Sequence, residues 1–178
     1  MERKPAVKTI YLLRHAKAEA QSPNGDAGRR LTKRGRKAAE AMGAFLAGLE
    51  PAPELVLCSP AIRTRETLDR VLPALHPQPR SAYEEELYLA DPTALLRRLR
   101  EVPEATASVL LIGHNPGLQE LAARLATNPG RLAEEFPTAA LAVLRVEGGW
   151  AGLHWQGARL VLFRTPEELS PDRAYQAE

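Results

Sequence analysis

Two histidines in this chain each follow a short apolar run that is typical of a buried strand. Arg14 and His15 come directly after residues 9–13, and His114 follows residues 108–112 after a single glycine. Strand ends usually carry Gly, Asn or Asp, because these residues suit turns. An Arg-His pair at such a position calls for a chemical explanation. A neutral imidazole can attack phosphorus and become a phosphohistidine, which makes His15 a candidate nucleophile.

A second arginine follows a third apolar run. Arg63 lies in the first turn of the helix predicted after residues 55–58. In open α/β sheets, ligands bind at the carboxyl ends of the strands, where helix N-termini offer N–H groups to anions. We therefore expect Arg14 and Arg63 to converge with His15 and His114 at one edge of the sheet. Arginines stabilise the charge on phosphoryl oxygens, and a protonated second histidine can donate to the same oxygens.

The single cysteine, Cys58, offers a nucleophile of another enzyme class. Cysteine-dependent phosphatases have five residues between the nucleophilic cysteine and an arginine. Here Arg63 follows Cys58 after four residues and Arg65 after six, and Pro60 would interrupt the row of amide donors. We therefore expect Cys58 to be a small buried residue. Nucleotide-binding motifs of the GxxxxGK[ST] or GxGxxG type are absent from the sequence.

The elements around these residues predict an α/β fold. Strands are expected at residues 8–13, 55–58, 81–83 and 108–112, and helices at about 32–49, 61–75, 92–100 and 117–127. Two later strands, within 139–147 and 153–163, flank Gly148-Gly149, which is typical of a hairpin turn. This alternation predicts three layers, α/β/α, with a mostly parallel sheet and an antiparallel edge hairpin.

Three polar residues are predicted to cap helices. Thr32 precedes the first helix, and Asp91 precedes the third with Pro92 at the first helical position. Ser59 and Pro60 have the same arrangement before the second helix.

The composition excludes several classes of function. Apolar residues make up 44% of the chain, charged residues 26%, and the net charge is +2. These values predict a single domain over residues 1–178, with a core at about 8–163 and a polar C-terminal tail. A net charge of +2 does not give the cationic field of a nucleic-acid binder. The sequence also contains no apolar segment of the roughly 20 residues that a membrane span needs. One cysteine is consistent with a reducing compartment, and we expect a cytoplasmic protein.

No metal or cofactor is expected from the sequence. The four histidines are His15, His76, His114 and His154, and their spacing matches no metal motif such as HExxH. An anionic substrate would be held by local cations, most of which are arginines. No heptad pattern or apolar stripe predicts an oligomer.

Four motifs, in order along the chain, resemble the histidine phosphatase superfamily. They are Leu-Arg-His-Ala at 13–16, Leu-Thr-Lys-Arg-Gly at 31–35, Cys-Ser-Pro-Ala-Ile-Arg-Thr at 58–64 and Ile-Gly-His-Asn at 112–115. The short chain, with little inserted between motifs, is similar to the SixA branch of phosphohistidine phosphatases. The resemblance implies a phosphoglycerate mutase-like fold and His15 as the phosphorylated nucleophile. It implies Arg14, Arg63 and His114 as the rest of the phosphate pocket.

The resemblance also implies an acidic proton donor after the third strand. Glu86 is the best match, with Glu84 and Glu85 as alternatives in the same run. If the substrate is phosphohistidine, its imidazole leaving group needs less acid help than an alkoxide. For a phosphate ester the donor should matter more, because general acid catalysis is worth about 10²–10⁴-fold.

Three residues after His15 bear on the branch. Ala16 replaces the glycine that the superfamily commonly has, and its methyl group could narrow the pocket. Ala18 stands where the mutases of the superfamily carry Ser or Thr, which argues against a mutase. Lys17 either meets an anionic substrate or is simply solvated.

These features lead to the hypothesis of a metal-independent phosphatase that acts through a phosphohistidine on His15. A SixA-type protein phosphohistidine phosphatase is the first candidate. The alternative is a phosphatase for sugar or nucleotide phosphate monoesters, but the compact chain offers no large insertion for a substrate-binding cap. A non-catalytic phosphate-binding module would be expected to lack the nucleophile or an arginine, and all four matching residues are present.

Because the arginines supply the cationic charge, we expect phosphatase activity to survive EDTA. Turnover of p-nitrophenyl phosphate with and without the chelator measures this. Loss of activity that a divalent metal specifically restores would contradict it.

Overall fold

The computed structural model describes residues 6–169 of the chain, and within them the predicted alternation of elements is present. The strands are β1 (Val7–Arg14), β2 (Leu55–Cys58), β3 (Arg80–Tyr83), β4 (Ser108–Gly113), β5 (Leu141–Glu147) and β6 (Ala158–Arg164). The α-helices are α1 (Lys33–Ala47), α2 (Ile62–Val71), α3 (Pro92–Arg100) and α4 (Gly117–Leu125). Residues 170–178 of the expected polar tail lie outside the described range. Among residues 6–169, no helix is long and apolar enough to cross a lipid bilayer.

The six strands form one mixed sheet in the order β3-β2-β4-β1-β5-β6. The first four in this order are parallel to one another. Strand β5 runs antiparallel to β1, and β6 runs antiparallel to β5. The predicted mostly parallel sheet with an antiparallel edge is therefore confirmed.

Apolar side chains alternate between the two faces of β1 and divide the core in two. Ile10 and Leu12 belong to the cluster that contains the apolar faces of α3 and α4. Tyr11 and Leu13 belong to the cluster that contains Met42 of α1 and residues of α2. Successive strand residues point to opposite faces, so a central strand that is apolar throughout must be covered on both sides. The three-layer prediction is correct.

The predicted tight turn at Gly148-Gly149 is wrong. Strand β6 begins at Ala158 rather than Leu153, so ten residues, 148–157, connect it to β5. The connection inserts Trp150 into the core, where the side chain is 1% exposed and Nε1 donates to the Thr106 carbonyl at 2.7 Å. A two-residue turn could not bury an indole.

Helix α2 also ends earlier than predicted. It stops at Val71, and Leu72–Ala74 continues as a short 3₁₀ helix. Pro73 accounts for the change, because proline lacks the N–H that an α-helix needs at that point.

The start of α1 is held against the loop that follows β1. Thr32 Oγ1 accepts the Gly35 N–H at 3.0 Å, as predicted for an N-cap. The Thr32 N–H in turn donates to the Lys17 carbonyl at 2.9 Å. Gly35 packs on the same backbone, because a Cβ on residue 35 would lie 2.1 Å from the Lys17 oxygen. The glycine is therefore required for close approach, and it fixes the loop after the Arg-His pair.

Gly35→Ala is expected to destabilise the fold by about 1–3 kcal/mol, as overpacking against a backbone atom does. Chemical denaturation monitored by circular dichroism measures this change in the free energy of unfolding. Gly48→Ala is the matched control at the other end of α1, since its Cβ would lie 3.5 Å from the nearest atom, the Phe45 carbonyl oxygen. Equal losses in the two variants would contradict the close-approach argument.

Candidate active site

The pairing of β1 with β4 brings the two predicted histidines together. Arg14 lies opposite Gly113 in the parallel register, so both strands end at the same level. The His15 N–H donates to the Gly113 carbonyl at 3.2 Å. The ring centroids of His15 and His114 are 5.4 Å apart, close enough for both imidazoles to contact one phosphoryl group.

The first turn of α2 adds the second arginine. Arg63 is 2% exposed, and its Nη2 lies 3.1 Å from Nδ1 of His114. Thr67 accepts the Ala16 N–H at 3.0 Å and donates to the Arg63 carbonyl at 2.7 Å. This side chain joins the first turns of α2 to the loop after His15. All four residues predicted for the phosphate pocket are thus placed at one edge of the sheet.

These residues line a cavity of about 310 Å³. Besides Arg14 and Arg63, the lining includes the cations Lys17 and Arg29. Asp26 is the one carboxylate among the described residues that line this cavity. The excess of positive charge suits an oxyanion with several oxygens.

Two arginines that line the cavity each have a guanidinium nitrogen without a protein partner. Nε of Arg14 and Nε of Arg63 are buried and have no hydrogen-bond partner among the described residues. Arg14 is held through its other end, where Nη1 donates to the Phe136 carbonyl at 3.0 Å. Asn115 donates to the same carbonyl at 2.9 Å. Buried polar groups are normally paired, and a bound anion is one partner that would satisfy unpaired donors on two arginines of the same cavity.

His15 is held in the form that a nucleophile needs. Its Nδ1 lies 2.8 Å from the Ala16 carbonyl, which only accepts, so Nδ1 carries the proton and Nε2 carries the lone pair. Burial, with a smaller effect from Arg63 and Arg14, lowers the pKa of His15 to about 4. The ring is therefore neutral at pH 7, with Nε2 available to attack.

His114 has the opposite tautomer. Its Nδ1 accepts from Arg63, because a guanidinium is only a donor, and its Nε2 therefore donates to Ser59 Oγ at 2.7 Å. Burial first, and then Arg63 and His15, lower the pKa of His114 to about 3. A phosphate dianion opposes these effects and favours the imidazolium. Protonation of Nδ1 breaks its hydrogen bond with Arg63, and the new N–H can donate to a phosphoryl oxygen.

Ser59 does not have the role that the sequence predicted. Helix α2 begins two residues later than a Ser59 cap requires, with Ala61 at the N-cap position and no side-chain cap. The hydroxyl supports His114 instead. Asp91, by contrast, caps α3 as predicted, since its side chain accepts the Ala94 N–H at 2.8 Å.

Asp26 is a site residue that sequence reasoning missed. Its backbone carbonyl accepts from Arg63 Nη1 at 2.9 Å, and its carboxylate accepts from Arg63 Nη2 at 3.1 Å. Arg29 donates to the carboxylate at 2.9 Å, and the Tyr88 hydroxyl donates to it through a short hydrogen bond. The Tyr88 bond most of all, followed by the arginine bonds, lowers the pKa of Asp26 to about 2. Asp26 is therefore ionised at neutral pH and orients Arg63 as an acceptor.

Glu86 is not brought to this cavity. It lies in the short 3₁₀ helix Glu85–Leu87 after the edge strand β3, is exposed, and is not part of the cavity lining. Glu85 is exposed too, and Glu84 forms an ion pair with Arg98 at 2.7 Å. The proton-donor assignment stays a prediction that this placement does not support.

Two further predictions concern small residues near the site. Cys58 is fully buried as expected, and burial raises the pKa of its thiol to about 12, so it is not a ready thiolate. Ala16 is fully buried in a cluster with Leu31, Ala39 and Ala139 and is not part of the cavity lining. Its methyl group therefore fills the core and does not narrow the pocket.

Comparison with known proteins agrees with this geometry. A sequence model of the histidine phosphatase superfamily (branch 1) matches residues 10–87. The phosphohistidine phosphatase SixA of Escherichia coli strain K12 is 30% identical over 150 residues, which cover 83% of this chain and 91% of that protein. The chain belongs to the histidine phosphatase superfamily. It is a phosphatase of this superfamily, and it acts on a phosphorylated substrate.

Solved structures support the SixA-type resemblance of this phosphatase. A candidate SixA from Nakamurella multipartitia has 32% sequence identity and a TM-score of 0.82, with 92% of this chain and 99% of that chain covered. A protein histidine phosphatase SixA in complex with tungstate has 27% identity and a TM-score of 0.78, with 91% and 99% covered. The predicted phosphoglycerate mutase-like fold is therefore confirmed.

The two buried histidines predict how stability depends on pH. Their folded pKa values, about 4 and about 3, lie below the ordinary histidine value of 6.5. Between about pH 4 and 6.5 the unfolded chain therefore binds more protons, and the free energy of unfolding rises with pH. Acidification from pH 7 to 5 should destabilise the protein, by up to about 1.4 kcal/mol per pH unit for each histidine.

Chemical denaturation of the phosphate-free protein between pH 5.0 and 7.5 measures this slope. His114→Gln should make the slope shallower, because one of the two titrating groups is removed. His76→Gln, which changes an exposed histidine between α2 and β3, is the control. Equal slopes in the wild type and His114→Gln would show that His114 is not held neutral by burial.

Proposed function

We propose that this phosphatase hydrolyses phosphohistidine in proteins through a covalent phosphohistidine on its own His15. The observation that carries the proposal is the ionisation of Asp26. Among the described residues, Asp26 is the one carboxylate that lines the cavity. Asp26 is ionised and bound by Arg63, Arg29 and Tyr88, so it is not an acid that could protonate an alkoxide. An imidazole leaving group needs less acid help, and a pocket of this composition suits a phosphoramidate better than an ester.

The first step transfers the phosphoryl group to the enzyme. The lone pair on Nε2 of His15 forms a bond to phosphorus while the bond from phosphorus to the substrate imidazole breaks. The electron pair stays on the leaving nitrogen, which takes its proton from solvent. Arg14 and Arg63 bind the phosphoryl oxygens, and protonated His114 donates to them.

The second step returns His15 to its starting form. A water molecule attacks phosphorus, the bond to Nε2 breaks, and inorganic phosphate leaves. Because the Ala16 carbonyl keeps its hydrogen bond to Nδ1, the released imidazole is again the neutral tautomer with its lone pair on Nε2. The same residues therefore serve both steps without a change of tautomer.

Two properties of the relatives support this proposal. One is a phosphohistidine phosphatase by name, and another binds tungstate, a tetrahedral oxyanion like phosphate. A cytoplasmic location is also our proposal, because a chain with one cysteine has no internal disulfide to maintain.

His15→Ala should abolish turnover of a phosphohistidine peptide and should prevent labelling of the enzyme by ³²P from that peptide. Activity is followed as phosphate release and labelling as an acid-labile band. His76→Ala, which removes an exposed histidine, is the matched control and should behave as the wild type. Full activity in His15→Ala would refute the nucleophile assignment.

The substrate class is tested separately on the wild type. We expect kcat/KM to be higher for a phosphohistidine peptide than for phenyl phosphate or for a panel of sugar and nucleotide monophosphates. A higher value for one of these esters would support the alternative of a small-molecule phosphatase. Such a result would leave the His15 mechanism intact.

A further inference from the structure

A second and larger cavity opens beside the phosphate pocket. Its volume is about 560 Å³, and its lining includes Lys17, Arg34, Arg131, Glu135 and Thr138. Lys17 and Thr138 line both cavities, so the two are neighbours. A substrate whose phosphoryl group lies against His15 would therefore place an adjacent part in this second cavity.

The charges around the second cavity leave a cationic excess. Two arginines balance two carboxylates: Arg131 Nη2 lies 2.8 Å from carboxylate oxygens of Glu135 and Glu168, and Arg164 Nη1 lies 3.7 Å from Glu168. Lys17 and Arg34 are exposed and form no ion pair within residues 6–169. Glu167 is the remaining carboxylate of the lining. Lys17 and Arg34 thus exceed Glu167 by one positive charge in this lining, and Lys17 also lines the phosphate pocket.

The backbone holds these two cations in one corner of the molecule. The Lys17 carbonyl accepts the Thr32 N–H, and Gly35 packs on the same carbonyl. An isolated β-bridge between Ala18 and Leu31 continues this contact. Arg34 is the second residue of α1, whose first turn contains no acidic residue. The positive end of the 15-residue helix adds to the attraction for an anion.

We propose that this cavity is a second anion subsite, in which Lys17 and Arg34 bind a carboxylate of the substrate. The proposal rests on the proposed function, since it concerns the part of the substrate beside the transferred phosphoryl group. In a protein substrate the carboxylate belongs to an Asp or Glu next to the phosphohistidine. A small phosphate ester that carries a carboxylate presents the same chemistry.

The expected size of the effect follows from the exposure of the two cations. Exposed charge pairs are worth little individually, so each cation should change KM by roughly 2- to 5-fold. The effect should weaken as salt rises, because the Debye length falls from about 10 Å at 0.1 M to about 3 Å at 1 M.

The test compares phosphohistidine peptides that differ only in having Asp or Asn beside the phosphohistidine. The wild type should prefer the Asp peptide at low salt, mainly through KM. Arg34→Gln should lose much of this preference while its turnover of phenyl phosphate, which has no carboxylate, stays unchanged. Lys33→Gln is the matched control, since Lys33 is an exposed cation in the same turn and does not line the cavity.

A second arm identifies the source of the carboxylate. It compares 4-carboxyphenyl phosphate with phenyl phosphate in the same three proteins. A preference that depends on Arg34 in this arm alone supports the subsite and assigns it to small carboxylate-bearing esters.

The results that would refute the anion subsite differ from those that would refute the proposed function. Turnover with no preference in either arm, or a preference that Arg34→Gln retains in full, overturns the subsite and leaves the phosphatase proposal standing. No turnover of any phosphohistidine peptide or ester by the wild type overturns the proposed function, and the subsite with it.

Discussion

The register between β1 and β4 is the constraint on which the phosphate pocket depends. It places Arg14 opposite Gly113, so β1 and β4 end at the same level. The residues that follow them, His15 and His114, are therefore neighbours. On the far side of β1, the Ala139 N–H donates to the His15 carbonyl at 3.0 Å. The backbone of His15 is therefore held on one side by β4 and on the other by the turn before β5. Side chains placed by strands in this way are positioned more accurately than side chains carried by loops.

The rest of the pocket follows from strand β2, which pairs with the edge of β4 opposite β1. The Ser59 N–H donates to the Ile112 carbonyl at 3.1 Å, so β2 ends level with β4. The short connection to α2 then brings Arg63 to His114, while the Ser59 hydroxyl holds the far side of the same ring. The segment that follows β2 thus supplies Arg63, a phosphate ligand, and Ser59, whose hydroxyl orients His114.

The sequence predicted the parts of the site that local pattern determines. His15, His114 and Arg63 were found because each follows an apolar run, and the carboxyl ends of parallel strands must meet. Asp26 was missed because it lies in a polar loop with no periodicity, and its role arises only when that loop crosses the sheet edge. The antiparallel hairpin is present, but the prediction of its tight turn failed for a similar reason. A Gly-Gly pair signals a turn, but the burial of Trp150 is decided by the space beside Thr106.

The contacts of Asp26 make anion binding at Nη2 of Arg63 a replacement reaction. Arg63 Nη2 lies 3.1 Å from both the Asp26 carboxylate and His114, so it already has an internal anion as partner. An oxyanion that takes this nitrogen must displace a bond that exists before it arrives. The net affinity is the difference between two charge-assisted bonds rather than the value of one. Anions that bind weakly therefore gain little at Arg63. When the phosphate product is released, Arg63 can form its hydrogen bond to the Asp26 carboxylate again.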